Sequence, residues 1–209
     1  RAGICVYSKS VEEHTRHLTA VFDALDSANV QVRASKCMLY QSKVKFLGIV
    51  IDGDSMSIDP DTVISIVEAD LPTSKGALRS MMGVLGVFRR YIPRFAETAA
   101  PLTAITSSPQ AVKFKGFSPG STELLAYQSL IASLAAAPVL AIPEIGERFI
   151  AIGDASDVAE CCVVVQGDLV TTPESTEHNM IPDWERGDLR LVGFYSRAFS
   201  KGAQRNWHI

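Results

Sequence analysis

The chain has 209 residues, 47% hydrophobic and 21% charged, enough for one large or two small globular domains with buried cores. Its net charge of −3 excludes a uniformly basic nucleic-acid binder, so any such role needs a local positive patch. Cys5, Cys37, Cys161 and Cys162 form no C-x-x-C pair and no apolar run can span a bilayer, which excludes a zinc ribbon and a membrane span and fits an intracellular, reducing compartment.

Ile4–Tyr7 reads as a short strand. Ser10 and Glu13 form a capping box that starts a helix, with Val11, Leu18, Val21, Phe22 and Leu25 on one face and Asn29 at its end. Val30–Arg33, Cys37–Tyr40 and Val44–Ile51 then read as strands. Asp52-Gly53-Asp54 is a turn that closes a hairpin with Met56–Ile58. Asp59-Pro60 is an N-cap followed by proline at the first helical position, and that helix ends before Pro72. Thr73 or Ser74 caps a helix running to about Arg90, and Pro93 begins another that ends near Ser107. Val84, Leu85, Val87, Phe88, Ile92, Phe95 and Leu102 supply the core of a small bundle. Ser107-Ser108-Pro109 and Ser118-Pro119-Gly120 punctuate a connector, and an amphipathic helix follows from about Ser121 to Ala137. Beyond Pro138, Pro143 and Gly146, the segments Phe149–Ile152, Val158–Gln166 and Leu189–Tyr195 read as strands around a long acidic loop, 167–188.

Several short motifs recur in a fixed order: Lys36-Cys37-Met38-Leu39-Tyr40, Val44-Lys45-Phe46-Leu47-Gly48, Leu78-Arg79-Ser80-Met81-Met82-Gly83, Arg89-Arg90-Tyr91-Ile92-Pro93-Arg94-Phe95, Ala100-Pro101-Leu102-Thr103 and Asp154-Ala155-Ser156. Together their order and spacing resemble the reverse transcriptase of gypsy-type LTR retrotransposons, from the end of the palm into RNase H. The resemblance implies an α/β (α+β) fold: palm-end hairpins and a helical thumb, followed by an incomplete RNase H-like mixed sheet. It divides the chain into a palm end with a primer-grip-like hairpin (1–58), a thumb (59–107), a connection (108–147) and the N-terminal part of an RNase H-like domain (148–209). It also implies RNA-directed DNA synthesis with RNA-strand cleavage in the parent polyprotein, Mg²⁺ as that enzyme's cofactor, and an RNA/DNA duplex as partner.

The resemblance assigns roles residue by residue. The paired metal-binding aspartates of the palm fall on Ala2 and Gly3, which cannot ligate a metal; a degenerate element and a cut chain start both account for this. The chain by itself is therefore expected neither to polymerise DNA nor to hold a metal. Phe46, Leu47 and Gly48 correspond to the hairpin that grips the primer, where an apolar tip packs on sugar-phosphate and glycine allows close backbone approach. From the tripeptide alone, a core strand ending in a bulge glycine is the plainer reading, and the flanking motifs favour the grip. Lys75, Arg79, Arg89, Arg90 and Arg94 lie in a stretch without acids from Leu71 to Ala96; they could meet phosphates or form a solvated face. Gly83-Val84-Leu85-Gly86 has the G-x-x-G form but lacks its nucleic-acid-binding context, so close helix packing is expected there.

Asp154 corresponds to the first RNase H carboxylate, a catalytic residue and weak metal ligand in an incomplete set; an ordinary turn or cap aspartate is the plainer reading. The following Val158-Ala159-Glu160-Cys161-Cys162 departs from the family's glycine-containing strand. Phe194-Tyr195-Ser196-Arg197 and Arg205-Asn206-Trp207 resemble the approach to the catalytic glutamate helix, which would lie past Ile209. His14 and His17, one helical turn apart, fit a metal pair, but no third ligand is evident and they read as surface histidines. Glu174, Glu177, Asp183, Glu185 and Asp188 read as a solvated acidic loop. The RNase H-like sheet is expected to expose edges that another chain or further polyprotein segments complete. Three functions remain open: a nucleic-acid-gripping fragment of the enzyme, a co-opted and catalytically dead subunit of a larger assembly, or part of an active nuclease completed downstream. Nucleus, cytoplasm and organelle are equally open.

Overall fold

The structure is a computed structural model that describes residues 3–108, 113–167 and 189–200. Helix α1 (Val11–Ser27) starts where the capping box places it. Ser10 Oγ accepts from Glu13 N at 3.2 Å, and Glu13 Oε2 accepts from Lys9 N at 2.8 Å, one residue earlier than the motif predicts. No residue of α1 is buried, and Val11 and Phe22 on its apolar face are exposed.

The expected strands Ile4–Tyr7, Val30–Arg33 and Cys37–Tyr40 do not form. Their backbones join no ladder, and a 3-10 turn at Ala34–Lys36 separates the last two. A strand exists only against a partner, and β-branched composition cannot supply one. The expected strand Val44–Ile51 is two strands, β1 (Lys43–Phe46) and β2 (Ile49–Asp52), paired antiparallel with Phe46 opposite Ile49. Between them Leu47 (φ 51°) and Gly48 (φ 82°) are both left-handed, the geometry of a tight type I′ turn rather than a bulge. The Gly53-Asp54 turn leads into β3 (Ser55–Ile58) as expected.

A helical layer follows. Helix α2 (Pro60–Val67) is capped by Asp59, and α3 (Lys75–Val87) by Ser74. A 3-10 turn at Arg89–Tyr91 ends that segment. The single helix expected from Pro93 is two, α4 (Phe95–Thr98) and α5 (Ala100–Ser107), because Arg94 is left-handed (φ 52°) and Pro101 restarts the chain in a first turn. Helix α6 (Thr122–Ala135) is capped by Ser121. Strand β4 (Leu140–Ala141) then adds to β3, with Leu140 opposite Met56. Two residues are too short to leave an alternation in the sequence.

One apolar core joins these parts. It holds Ile58, Ile66, Leu78, Leu85, Phe88, Tyr91, Ile92, Leu102, Tyr127, Leu130, Leu134 and Leu140. Gly83 and Gly86 do not mark a close helix contact: an added methyl would meet open space at both, correcting that expectation.

The second sheet contains β5 (Phe149–Ala155), β6 (Ala159–Gln166) and β7 (Arg190–Ala198) in that order. Its described strands are all antiparallel, where the resemblance implied a mixed sheet. β7 bulges at Val192, which has no partner between Val164–Gly193 and Val165–Leu191. The bulge turns the Val192 carbonyl to Arg90 Nη2 at 3.1 Å. Next to it, a Cβ on Gly193 (φ 157°) would sit 3.2 Å from the Arg90 carbonyl oxygen. Buried Gln166 also ties β6 to the connector, donating to Glu144 O and accepting from Glu144 N, both at 2.8 Å. Arg190 reaches Glu144 at 2.5 Å, Ile142 O at 3.1 Å and Asp54 at 3.4 Å, so one side chain bridges the two sheets.

Two stability outcomes follow from this packing. The Tyr91 hydroxyl is buried without a hydrogen-bond partner, so Tyr91→Phe should raise unfolding free energy by about 1 kcal/mol in urea denaturation; a clear loss would mean the hydroxyl is satisfied. Gly193→Ala should cost about 1–3 kcal/mol, because backbone cannot yield as a flexible side chain does. Gly153→Ala, whose Cβ would meet only Cys161 O at 3.9 Å, is the control expected to change far less.

Candidate nucleic-acid interface

The β1–β2 hairpin is held by charge at its base and by an aromatic ring at its tip. Lys45 Nζ lies 2.9 Å from Asp59 and 2.6 Å from Asp61, at the start of α2. Lys45 holds the Asp59 carboxyl below the usual range, and the two acids raise Lys45. The Gly48 carbonyl accepts from Asp59 N at 2.9 Å. A Cβ on Gly48 would meet the Phe88 ring at 3.1 Å, so glycine is favoured there by tight space as well as by φ. Phe46 is half-buried, while Leu47 is 73% exposed at the tip. A branched side chain at positive φ is strained, and here it is offered to solvent rather than to the core. The Lys45 brace was not foreseen; no spacing in the sequence pairs a strand lysine with a cap aspartate.

The five cations of the acid-free stretch do not form one patch. Lys75 Nζ donates to the Ser108 carbonyl and to Ser108 Oγ, and Arg79 Nη2 donates to Thr106 O at 2.9 Å, so both finish the C-terminal end of α5. Arg90 is engaged by the β7 bulge. Arg94 forms a two-pronged pair with Glu97 at 2.6 and 3.1 Å. Arg89 is exposed, and among the described residues its side chain has no hydrogen bond or ion pair.

Asp154 lies within β5 opposite Cys161, rather than in the turn its plainer reading gave it. Its side chain is 72% exposed, 3.9 Å from Arg94. The nearby acids already have partners: Glu97 with Arg94, and Glu160 with Arg197 at 2.8 Å. Among the described residues no group of three or more histidines, cysteines or acids converges to hold a metal ion. The residues around Asp154 therefore do not fit the Mg²⁺ that the resemblance implies, because a hard dication needs several oxygens at one point. Burial, with Glu97 and Asp154 nearby, pushes the Cys161 thiol up. Ala2, the acidic residues of 167–188 and Arg205-Asn206-Trp207 lie outside the described residues. Among the described residues no helix is long and apolar enough to cross a membrane.

No protein-family model matches the chain. It is 28% identical over 163 residues to the retrovirus-related Pol polyprotein from transposon 297 of Drosophila melanogaster, covering 78% of this chain. It is 31% identical over 172 residues to that from transposon opus of the same species, covering 79%. The match to the transposon Tf2-7 polyprotein of Schizosaccharomyces pombe is 27% over 207 residues and covers 99%. Its relatives are thus retrotransposon Pol polyproteins. The chain spans only 14 to 17% of the length of those relatives. Its fold matches foamy viral protease-reverse transcriptase solved with RNA/DNA hybrid (TM-score 0.68, 18% identity, 95% of this chain and 24% of that one). It also matches the form solved with dsDNA (TM-score 0.66, 18% identity, 95% and 37%). The α+β architecture of hairpins and helical layer thus has the fold of those solved reverse transcriptases.

The Lys45–Asp59 pair sets a pH dependence for the fold. A carboxyl depressed in the folded state adds stability above the ordinary aspartate range, and that stability is lost as pH falls through the depressed value. Urea midpoints should hold between pH 7 and about 5, then fall on acidification below about 4. Lys45→Met should flatten part of that fall; an unchanged acid slope would remove the pair from the account.

Proposed function

We propose that this Pol segment grips a primer–template duplex for the reverse transcriptase of its parent polyprotein and contributes no catalytic metal site of its own. The observation that carries the reading is the β1–β2 tip. Leu47 is held at positive φ and exposed, on a hairpin braced by Lys45 and backed by Phe88. The type I′ turn needs positive φ at this position, but Asn, Asp or Gly would supply it at lower cost, so an exposed leucine there is best explained by a contact outside this segment. The partner class follows from the relatives' Pol identity and from foamy viral neighbours solved with dsDNA and RNA/DNA hybrid. Arg89 is the cation we assign to phosphate, since Lys75, Arg79, Arg90 and Arg94 are engaged within the chain. RNA-directed DNA synthesis, RNA cleavage and their Mg²⁺ belong to residues outside this segment. A second reading, a co-opted subunit that binds without catalysis, is favoured by the exposed Asp154 carboxylate lying beside Arg94.

Fluorescence anisotropy with a labelled RNA/DNA primer–template tests the grip. Binding should weaken steeply with salt, Arg89→Ala should lower the slope of log affinity against log salt by about one, and Leu47→Asp should weaken binding several-fold at every salt concentration. Affinity indifferent to salt and to both substitutions would reject the proposal.

A further inference from the structure

We propose that Ser8, His14 and His17 form a binding site for a borderline transition-metal dication, Zn²⁺ or Cu²⁺. Ser8 Oγ lies 2.8 Å from His17 Nδ1 and 3.1 Å from His14 Nδ1. Two imidazole nitrogens of the same kind thus converge on one oxygen, from side chains one helical turn apart on α1. The sequence shows the histidine pair but not the third donor, the Ser8 oxygen, which the extended segment before α1 brings back onto the helix.

The hydroxyl carries a single proton, so it can donate to one bare Nδ1 only and must accept from the other ring. A dication at the convergence point takes both lone pairs at once and leaves the serine oxygen and solvent to complete its shell. Both rings are then Nε2–H tautomers. His17 Nε2 faces Glu13 Oε1 at 3.9 Å, a carboxylate behind the ligand. His14 stands edge-on to Tyr40 at 5.2 Å between ring centroids, and the Tyr40 hydroxyl is tied to Thr15 Oγ1 at 2.8 Å, which fixes that ring's direction. The His17 side chain is 47% exposed, so an ion can enter. The positive end of the α1 dipole opposes a cation here, and Glu12 and Glu13 in its first turn counter that field. Imidazole nitrogen selects Zn²⁺ or Cu²⁺ over Mg²⁺, so this site is separate from the chemistry of the parent enzyme. A bound ion would staple the Cys5–Ser8 segment to α1.

The test is calorimetric titration of Zn²⁺ alone into the tag-free 209-residue chain, with a parallel Cu²⁺ sample read by EPR. One saturable equivalent and hyperfine coupling to two nitrogens are expected. The His14→Ala/His17→Ala variant should lose that equivalent, with its circular dichroism spectrum unchanged. His178→Ala/His208→Ala should retain it, and Glu13→Gln should weaken it about tenfold. Absence of saturable binding, or an equivalent that survives removal of both His14 and His17, would overturn the site and leave a hydrogen-bond clamp only.

Discussion

The contact between Arg90 and the β7 bulge governs how the two halves of the molecule meet. Val192 leaves the ladder, its carbonyl accepts from the Arg90 guanidinium, and Gly193 lets the Arg90 backbone come within reach of the strand. The main-chain amide of Ala96 donates to Ser196 Oγ at 2.8 Å on the same strand. Gln166 and Arg190 add bonds to the connector and to the β2–β3 turn. The three-stranded sheet is therefore seated on the helical layer by directional polar bonds. Such bonds fix register more sharply than apolar contact, because a one-residue slip leaves every one of them unmade.

That seating changes the meaning of the basic residues. A row of cations without acids looks like a phosphate track when read along the chain. In the fold, Arg90 and Arg94 turn toward the second sheet, while Lys75 and Arg79 close the end of α5. These cations stabilise backbone carbonyls and acids that would otherwise lack partners. Asp154 is drawn into the same network through Arg94, which accounts for its poor fit to a metal-binding role.

Much of the first sheet and the helical layer was legible in the residues. Ser10, Asp59 and Ser74 cap the helices that their side chains announce, since capping is a local bond between a side chain and an amide two or three residues on. The Gly53 turn, the strands β5 to β7 and the Pol relationship were also readable, the last through motif order rather than through any single residue. The three N-terminal strands were misread because their composition suits a ladder whose partner is absent among the described residues. Strand β4 was invisible because pairing with β3, not alternation, makes it a strand.

The sequence alone determined where helices begin, where tight turns fall and which family the chain resembles, because these depend on neighbours a few residues apart or on the order of short words. Only the tertiary structure decided that Leu47 stands exposed at a strained tip, that most of the basic stretch is hydrogen-bonded within the chain, and that Ser8 meets two histidines. Each of those depends on atoms brought together by packing, and the energy of a charge or hydroxyl is set by what surrounds it rather than by its place along the chain.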